Sequence, residues 1–283
     1  MSIILVGFVL FSYLLGRLGM PLEIRFLNQA GHLRQNHEGN KIPISAGLIF
    51  FPVTVIVWIS VSYWEKNLII EMLFFSFGAM AVVLSALTDD LWGNHEVKGL
   101  KGHFKKLSQG VLTTGALKAL TGLGAGLFIA YIFNSRYIFL SALLVALSIN
   151  LVNLLDLRPG RAGKFFFIVA LLLLIFDGDL ASLIIAPAFG VLLAYLPFDL
   201  LGKVMLGDVG SNYLGFLIGA ALIVSLPYSW QLFLLLVLLY LHWYTEHYSL
   251  NKLIAAKPLL KRIDNWGREK KSIHKKGKEV SDD

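Results

Sequence analysis

Nine long apolar runs divide this sequence, and the basic residues between them fall almost entirely in alternate gaps. The runs are Ile3–Leu18, Ile44–Tyr63, Ile69–Thr88, Val111–Phe133, Tyr137–Leu155, Phe165–Phe176, Leu180–Phe198, Asn212–Pro227 and Leu232–Tyr248. A helix needs about 20 residues, in a range of roughly 17–25, to cross a bilayer. Most runs reach that length, and Phe165–Phe176 does so only by borrowing its flanks. The expected fold is therefore all-α, a polytopic membrane bundle of about nine spans. With the N-terminus outside, the inner segments 17–41, 89–109, 156–164, 197–210 and 249–283 hold 22 of the 25 Lys and Arg residues. Such asymmetry marks the cytoplasmic side, and an odd number of spans puts the C-terminus there too.

Charge confirms the class. The chain is 15% charged, against about 25% in soluble domains. The net charge of +7 sits beside spans and does not form a nucleic-acid face. No cysteine is present, which excludes a disulfide framework and a thiolate metal site. The first run lacks a basic leading segment, and Arg17 follows it, so it reads as a retained anchor. Residues 1–248 form the expected transmembrane catalytic domain and 249–283 a basic cytoplasmic tail. Between Leu250 and Trp266 the tail alternates apolar and basic residues around Pro258, a pattern suited to an interfacial helix on anionic inner-leaflet lipids. From Gly267 the composition is polar and favours disorder.

Three acidic motifs sit where runs end, all on the inner side. Asp89-Asp90 closes the third run. Asn150, Asn153 and Asp156 recur every three residues and share one helical face. Gly207-Asp208-Val209-Gly210-Ser211 opens the eighth run, where glycines allow a tight turn with N–H groups exposed at a helix start. Carboxylates at the mouth of a membrane domain are costly unless they bind something. Carboxylates and amides together suit a hard cation carrying phosphate. Lys98, Lys101, Lys105 and Lys106 follow the aspartate pair, and Arg158 and Arg161 flank Pro159-Gly160, where they can grip a diphosphate or a headgroup.

Other signals are weaker. Gly122-Leu-Gly124-Ala-Gly126 lies inside an apolar run with no strand before it, so close helix packing explains it. Gly160-Arg-Ala-Gly163-Lys164 is too short for a phosphate loop. His242, Glu246 and His247 end the last run without a defined partner.

Together these motifs resemble the polyprenyl-phosphate N-acetylhexosamine-1-phosphate transferase family. Asp89-Asp90 is similar to its Asp-Asp pair, Asn150…Asn153…Asp156 to its Asn-x-x-Asn-x-x-Asp stretch, and Gly207-Asp208-Val-Gly-Ser to its Gly-Asp-x-Gly-Ser turn. Lys105…Gln109 resembles its Lys-x-x-x-Gln, and Asn36, Asn40 and Lys41-Ile-Pro43…Gly47 loosely resemble its first inner loop. The resemblance spans about residues 20–225. It implies transfer of a sugar-1-phosphate from a nucleotide sugar to polyprenyl (undecaprenyl) phosphate, with a nucleoside monophosphate leaving. It implies Mg²⁺, with Mn²⁺ as a substitute, held by Asp208, Asn153 and Asp90. Asp89 or Asp90 would orient or deprotonate the lipid phosphate, and Lys105 would hold substrate phosphate. Asn150, Asn153, Asp156, Arg158 and Arg161 would bind substrate. The partners implied are the lipid phosphate, a donor of the uridine-linked type and anionic lipids, with a homodimer left open. The location implied is the cell membrane.

Two departures mark a divergent member. Where the family continues Asp-Gly-x-Asp-Gly, this chain reads Asp156-Leu-Arg158-Pro159-Gly160-Arg161, so the donor need not be the usual uridine nucleotide. The family's late His-rich inner loop has no counterpart. A non-catalytic binder of polyprenyl phosphate is the alternative function, and a transporter fits less well because the carboxylates gather at one edge and not at the midplane.

Overall fold

The computed structural model describes residues 3–93, 99–133, 136–176 and 179–268. Lys98 and the polar tail beyond Arg268 lie outside the described residues, as does the side chain of Lys101.

Each apolar run becomes a helix, usually longer than the run itself. In chain order these are α1 (Ile3–Gln29), α2 (Phe50–Trp64), α3 (Ile69–Trp92), a short α4 (Gly99–Ser108), α5 (Thr114–Ile132), α6 (Ile138–Leu155), α7 (Arg161–Phe176), α8 (Asp179–Leu200), α9 (Gly207–Ser225) and α10 (Tyr228–His247). Two short helices, α11 (Leu250–Ala256) and α12 (Pro258–Asn265), follow. Among the described residues, seven helical segments are long and apolar enough to cross a membrane. The two apolar runs outside that set are α7 and α10. The 16 residues of α7 rise only about 24 Å at 1.5 Å per residue, short of a hydrocarbon core of about 30 Å. In α10 the ends are diluted by Gln231, His242, Glu246 and His247.

α9 is the hub. Its residues from Val209 to Ala221 are buried without a break, and it packs against α3, α6 and α8. Small residues make this possible. A Cβ at Gly215 would stand 2.5 Å from the Ile149 Cα and one at Gly219 2.7 Å from the Val145 Cα, so α9 and α6 meet backbone to backbone. The glycine run at 122–126 does similar work, since a Cβ on Gly126 would lie 2.6 Å from the Ala142 carbonyl oxygen. That agrees with the packing explanation drawn from the sequence.

The segment between α1 and α2 is an antiparallel hairpin, β1 (Leu33–Gln35) with β2 (Lys41–Pro43), in which Arg34 pairs with Ile42. Asn36 builds its turn: the side-chain oxygen accepts from the Glu38 and Asn40 N–H groups at 2.9 and 3.0 Å. The hairpin is stitched to the chain entering α9, with Met205 N–H donating to Pro43 (2.8 Å) and Ala46 N–H to Met205 (3.0 Å). The hairpin, the C-terminal ends of α3, α6 and α8 and the start of α9 therefore meet at one end of the bundle.

Candidate active site

That junction encloses an open cavity of about 200 Å³ lined by Arg34, Asn36, His37, Asp90, Asp156, Arg158, Asp199 and Asp208, among others. Four carboxylates and three basic side chains are among its lining. The turn before α9 sets its floor. Gly207 has φ +75°, and a Cβ there would meet the Asp90 Oδ2 and the Ser45 N, each at 2.7 Å. Only glycine lets the two segments close this far.

The adjacent aspartates of α3 point apart and do different things. Asp90 is buried and caps α9: its Oδ1 accepts the Asp208 N–H and its Oδ2 the Val209 N–H, both at 3.2 Å. Ser45 Oγ donates to the same Oδ2 at 2.6 Å. With its one proton so used, Ser45 accepts from His32 Nε2 at 2.9 Å, which fixes the tautomer of His32. Arg34 donates to the Asp90 main-chain oxygen at 3.2 Å. A carboxylate at a helix start satisfies orphan N–H groups and complements the dipole. Asp90, the metal ligand that the resemblance implies, here caps the start of α9 and lines the cavity.

Asp89 turns the other way. Its carboxylate and that of Asp208 share one ammonium, Lys118 Nζ standing 2.5 Å from Asp89 Oδ2 and 2.6 Å from Asp208 Oδ2. Ser211, one turn into α9, donates to Asn153 Oδ1 at 3.1 Å, tying α9 to α6. Asp156 caps the end of α6 and lines the cavity. Burial and then the negative charges of Asp199, Asp208 and Asp90 push its carboxyl well above the usual range. Asp199 Oδ2 accepts the Gly160 N–H at 2.9 Å, holding the α6–α7 loop against α8.

The structure thus brings Asp89, Asp90, Asn153, Asp156, Arg158 and Asp208 to one place. It does not bring Lys105, which is exposed on α4, or Asn150, which is exposed on α6. Arg161, expected at the donor, is buried elsewhere: its guanidinium forks onto Asp264 of α12, with Nε–Oδ1 2.8 Å and Nη2–Oδ2 3.1 Å. His242 and His247 are held by their own helix, their Nδ1 atoms 2.7 and 2.8 Å from the Leu238 and Trp243 carbonyl oxygens. Lys118, Asp199, Arg34, His37, Ser45 and His32 were not picked out from the sequence. Lys118 carried a signal all the same: a lone cation inside an apolar helix demands a partner.

The donor set is compatible with Mg²⁺ in one specific way. Among the described residues no three acidic or imidazole side chains converge closely enough to hold a metal unaided. Asp89 and Asp208 nevertheless already converge on a cation, the Lys118 ammonium, and further carboxylates line the cavity alongside. Mg²⁺ is commonly held by one or two carboxylates with substrate phosphates completing the shell. Asp208, with the Asn153 amide near it, fits that partial shell.

The family model described as Glycosyl transferase family 4 matches residues 72–226, from α3 to just past α9, more than half of the chain. No curated protein matches it.

Proposed function

The chain belongs to glycosyl transferase family 4, the polyprenyl-phosphate hexosamine-1-phosphate transferases, and from that premise we propose that it transfers a sugar-1-phosphate from a nucleotide sugar to undecaprenyl phosphate at the cytoplasmic membrane face. This would be the first membrane step of a cell-envelope glycan pathway. A phosphate oxygen of the lipid attacks the donor phosphorus that bears the sugar. The bond from that phosphorus to the bridging oxygen breaks, and the nucleoside monophosphate departs with the oxygen. The lipid then carries a diphosphate-linked sugar.

One observation carries this reading: Asp89 and Asp208, from the ends of different helices, share the Lys118 ammonium beside a cavity with an acidic floor and a basic rim. Phosphoryl transfer needs positioning and charge neutralisation more than covalent help from the protein. Arg34, His37 and Arg158 are placed to take the donor diphosphate at the rim. Lys118 orients Asp89 and Asp208 and balances their charge. Asp89, held by Lys118, is the carboxylate of the pair that would orient the lipid phosphate, because Asp90 is engaged in the cap. Mg²⁺ or Mn²⁺, held by Asp208 with Asn153, would supply neutralisation of the diphosphate. Arg158 and Pro159 occupy the stretch that reads the base in related sequences, which supports a donor outside the usual uridine set.

A donor panel tests the reading. Purified protein with Mg²⁺ and undecaprenyl phosphate is offered uridine, cytidine, guanosine and thymidine diphosphate sugars, and nucleoside monophosphate is measured. Release with at least one donor, dependent on both lipid and metal, is expected. Silence across the panel, with the folded protein shown to bind lipid phosphate, would favour a non-catalytic binder.

A further inference from the structure

The segment α11–α12 forms a strap with two dissimilar faces. Its inner face is locked to the α6–α7 connection. Asp264, the one acidic residue between Leu250 and Trp266, points inward and takes Arg161 together with Arg268, whose Nη2–Oδ1 and Nη1–Oδ2 distances are 2.8 and 3.0 Å. Lys164 Nζ closes the end of α12 by donating to the Ile263, Asp264 and Trp266 carbonyl oxygens at 2.9, 2.7 and 3.0 Å. Arg268 Nε reaches the Pro159 carbonyl oxygen at 2.8 Å. The strap is thereby pinned beside Arg158.

Its outer face is unlike any soluble helix surface. At about 100° per residue, Trp266, just past the end of α12, and Leu259, Ile263 and Leu260 on it fall in turn around one arc. They are 70%, 69%, 41% and 40% exposed. Lys252, Lys257, Lys261 and Arg262 are exposed along the same strap. With Asp264 held by two arginines, no ion pair to any of these four cations is found among the described residues. The strap follows directly on α10, whose Leu236, Tyr240 and Trp243 are exposed in the manner of a lipid-facing helix. An apolar stripe bordered by exposed cations, delivered at the end of α10, matches the interface between headgroups and acyl chains.

We propose that the outer face of α11–α12 docks on an anionic lipid surface, Leu259, Ile263 and Trp266 entering the acyl boundary while the four cations meet headgroups. The inner face then ties the Arg158 loop to the membrane plane.

The absence of native cysteine makes site-directed spin labelling direct, and the readout does not involve turnover. Leu259→Cys and, about 120° round α12 from it, Asn265→Cys are labelled in the full-length protein in nanodiscs of neutral lipid, with and without about one third phosphatidylglycerol. Collision with oxygen and with a water-soluble nickel chelate reports depth. In anionic discs the Leu259 label should gain oxygen contact and lose nickel contact by about threefold or more, while the Asn265 label stays open to nickel. Adding Lys261→Gln and Arg262→Gln should remove most of the difference between the two lipids. Equal Leu259 accessibility in neutral and anionic discs, nickel contact matching that of Asn265, or indifference to the charge changes would each overturn the proposal.

Discussion

Changing Lys118 to Met removes the ammonium shared by Asp89 and Asp208 and keeps an unbranched chain of nearly the same length. The three side chains are 14%, 12% and 24% exposed, and both contacts are short, at 2.5 and 2.6 Å. A hydrogen bond to a charged group contributes about 1.5–3 kcal/mol. Breaking a buried pair by removing one member costs about 3–5 kcal/mol, because the remaining charge is uncompensated. Two carboxylates left facing each other can take up one proton, and water reaches Asp208, so the lower end applies, about 3 kcal/mol. Thermal unfolding of the purified variant without metal should show a clear fall in Tm. Millimolar Mg²⁺ should restore much of it, since a cation then takes the ammonium's place, and should shift the wild type less. Turnover should fall by about a hundredfold, or about 2.7 kcal/mol in barrier. A Lys118→Met protein with unchanged Tm and turnover within about tenfold of wild type would refute the role given to this contact.

Two further predictions concern the α6–α7 connection. Arg158→Ala should raise the donor KM by about tenfold, in keeping with loss of one charge-assisted contact. Arg161→Ala should leave the donor KM nearly unchanged but lower the Tm, and a donor effect at Arg161 equal to that at Arg158 would contradict the assignment. The strap should also respond to acid in a defined window. Burial raises the Asp264 carboxyl, but hydrogen bonds from Arg161 and Arg268 outweigh it and leave the group at about 2. A carboxyl lowered from its unfolded value of about 3.9 contributes stability that is fully present above that value and is lost as pH falls towards 2. Protection of the strap from proteolysis should be flat between pH 7 and 5, measured with proteases active across that range. Loss of protection near pH 6 would show that another group governs docking.

The apolar runs made the helices legible, and the positions of Asp89, Asn153, Asp156 and Asp208 at helix ends made much of the site legible too. Helix limits were harder. The first run was read as ending at Leu18, yet α1 continues to Gln29 through charged and polar residues because its inner half packs on the bundle. The long-range pairings were invisible. Arg161 follows Asp156 closely in sequence and was read as a donor contact, whereas its partner Asp264 lies 103 residues further on. The resemblance implied a metal-ligand role for Asp90 and said nothing of the cap it forms on α9. Its capping role depends on the Gly207 turn and Ser45, which come together only in three dimensions. Lys105 matched a spacing and lies exposed on α4, whereas Lys118, brought to Asp89 and Asp208 by the packing of α5 against α3 and α9, was passed over.

The central claim is that phosphorus travels with the sugar. A donor found active in the panel is prepared with radiophosphorus only at the phosphorus next to the sugar and incubated with the protein, Mg²⁺ and undecaprenyl phosphate. The account predicts that the label moves into the lipid fraction as a sugar-bearing lipid diphosphate, matched one for one by unlabelled nucleoside monophosphate, and that Asp208→Asn abolishes both. Label leaving in a nucleoside diphosphate, with sugar alone on the lipid, would contradict it.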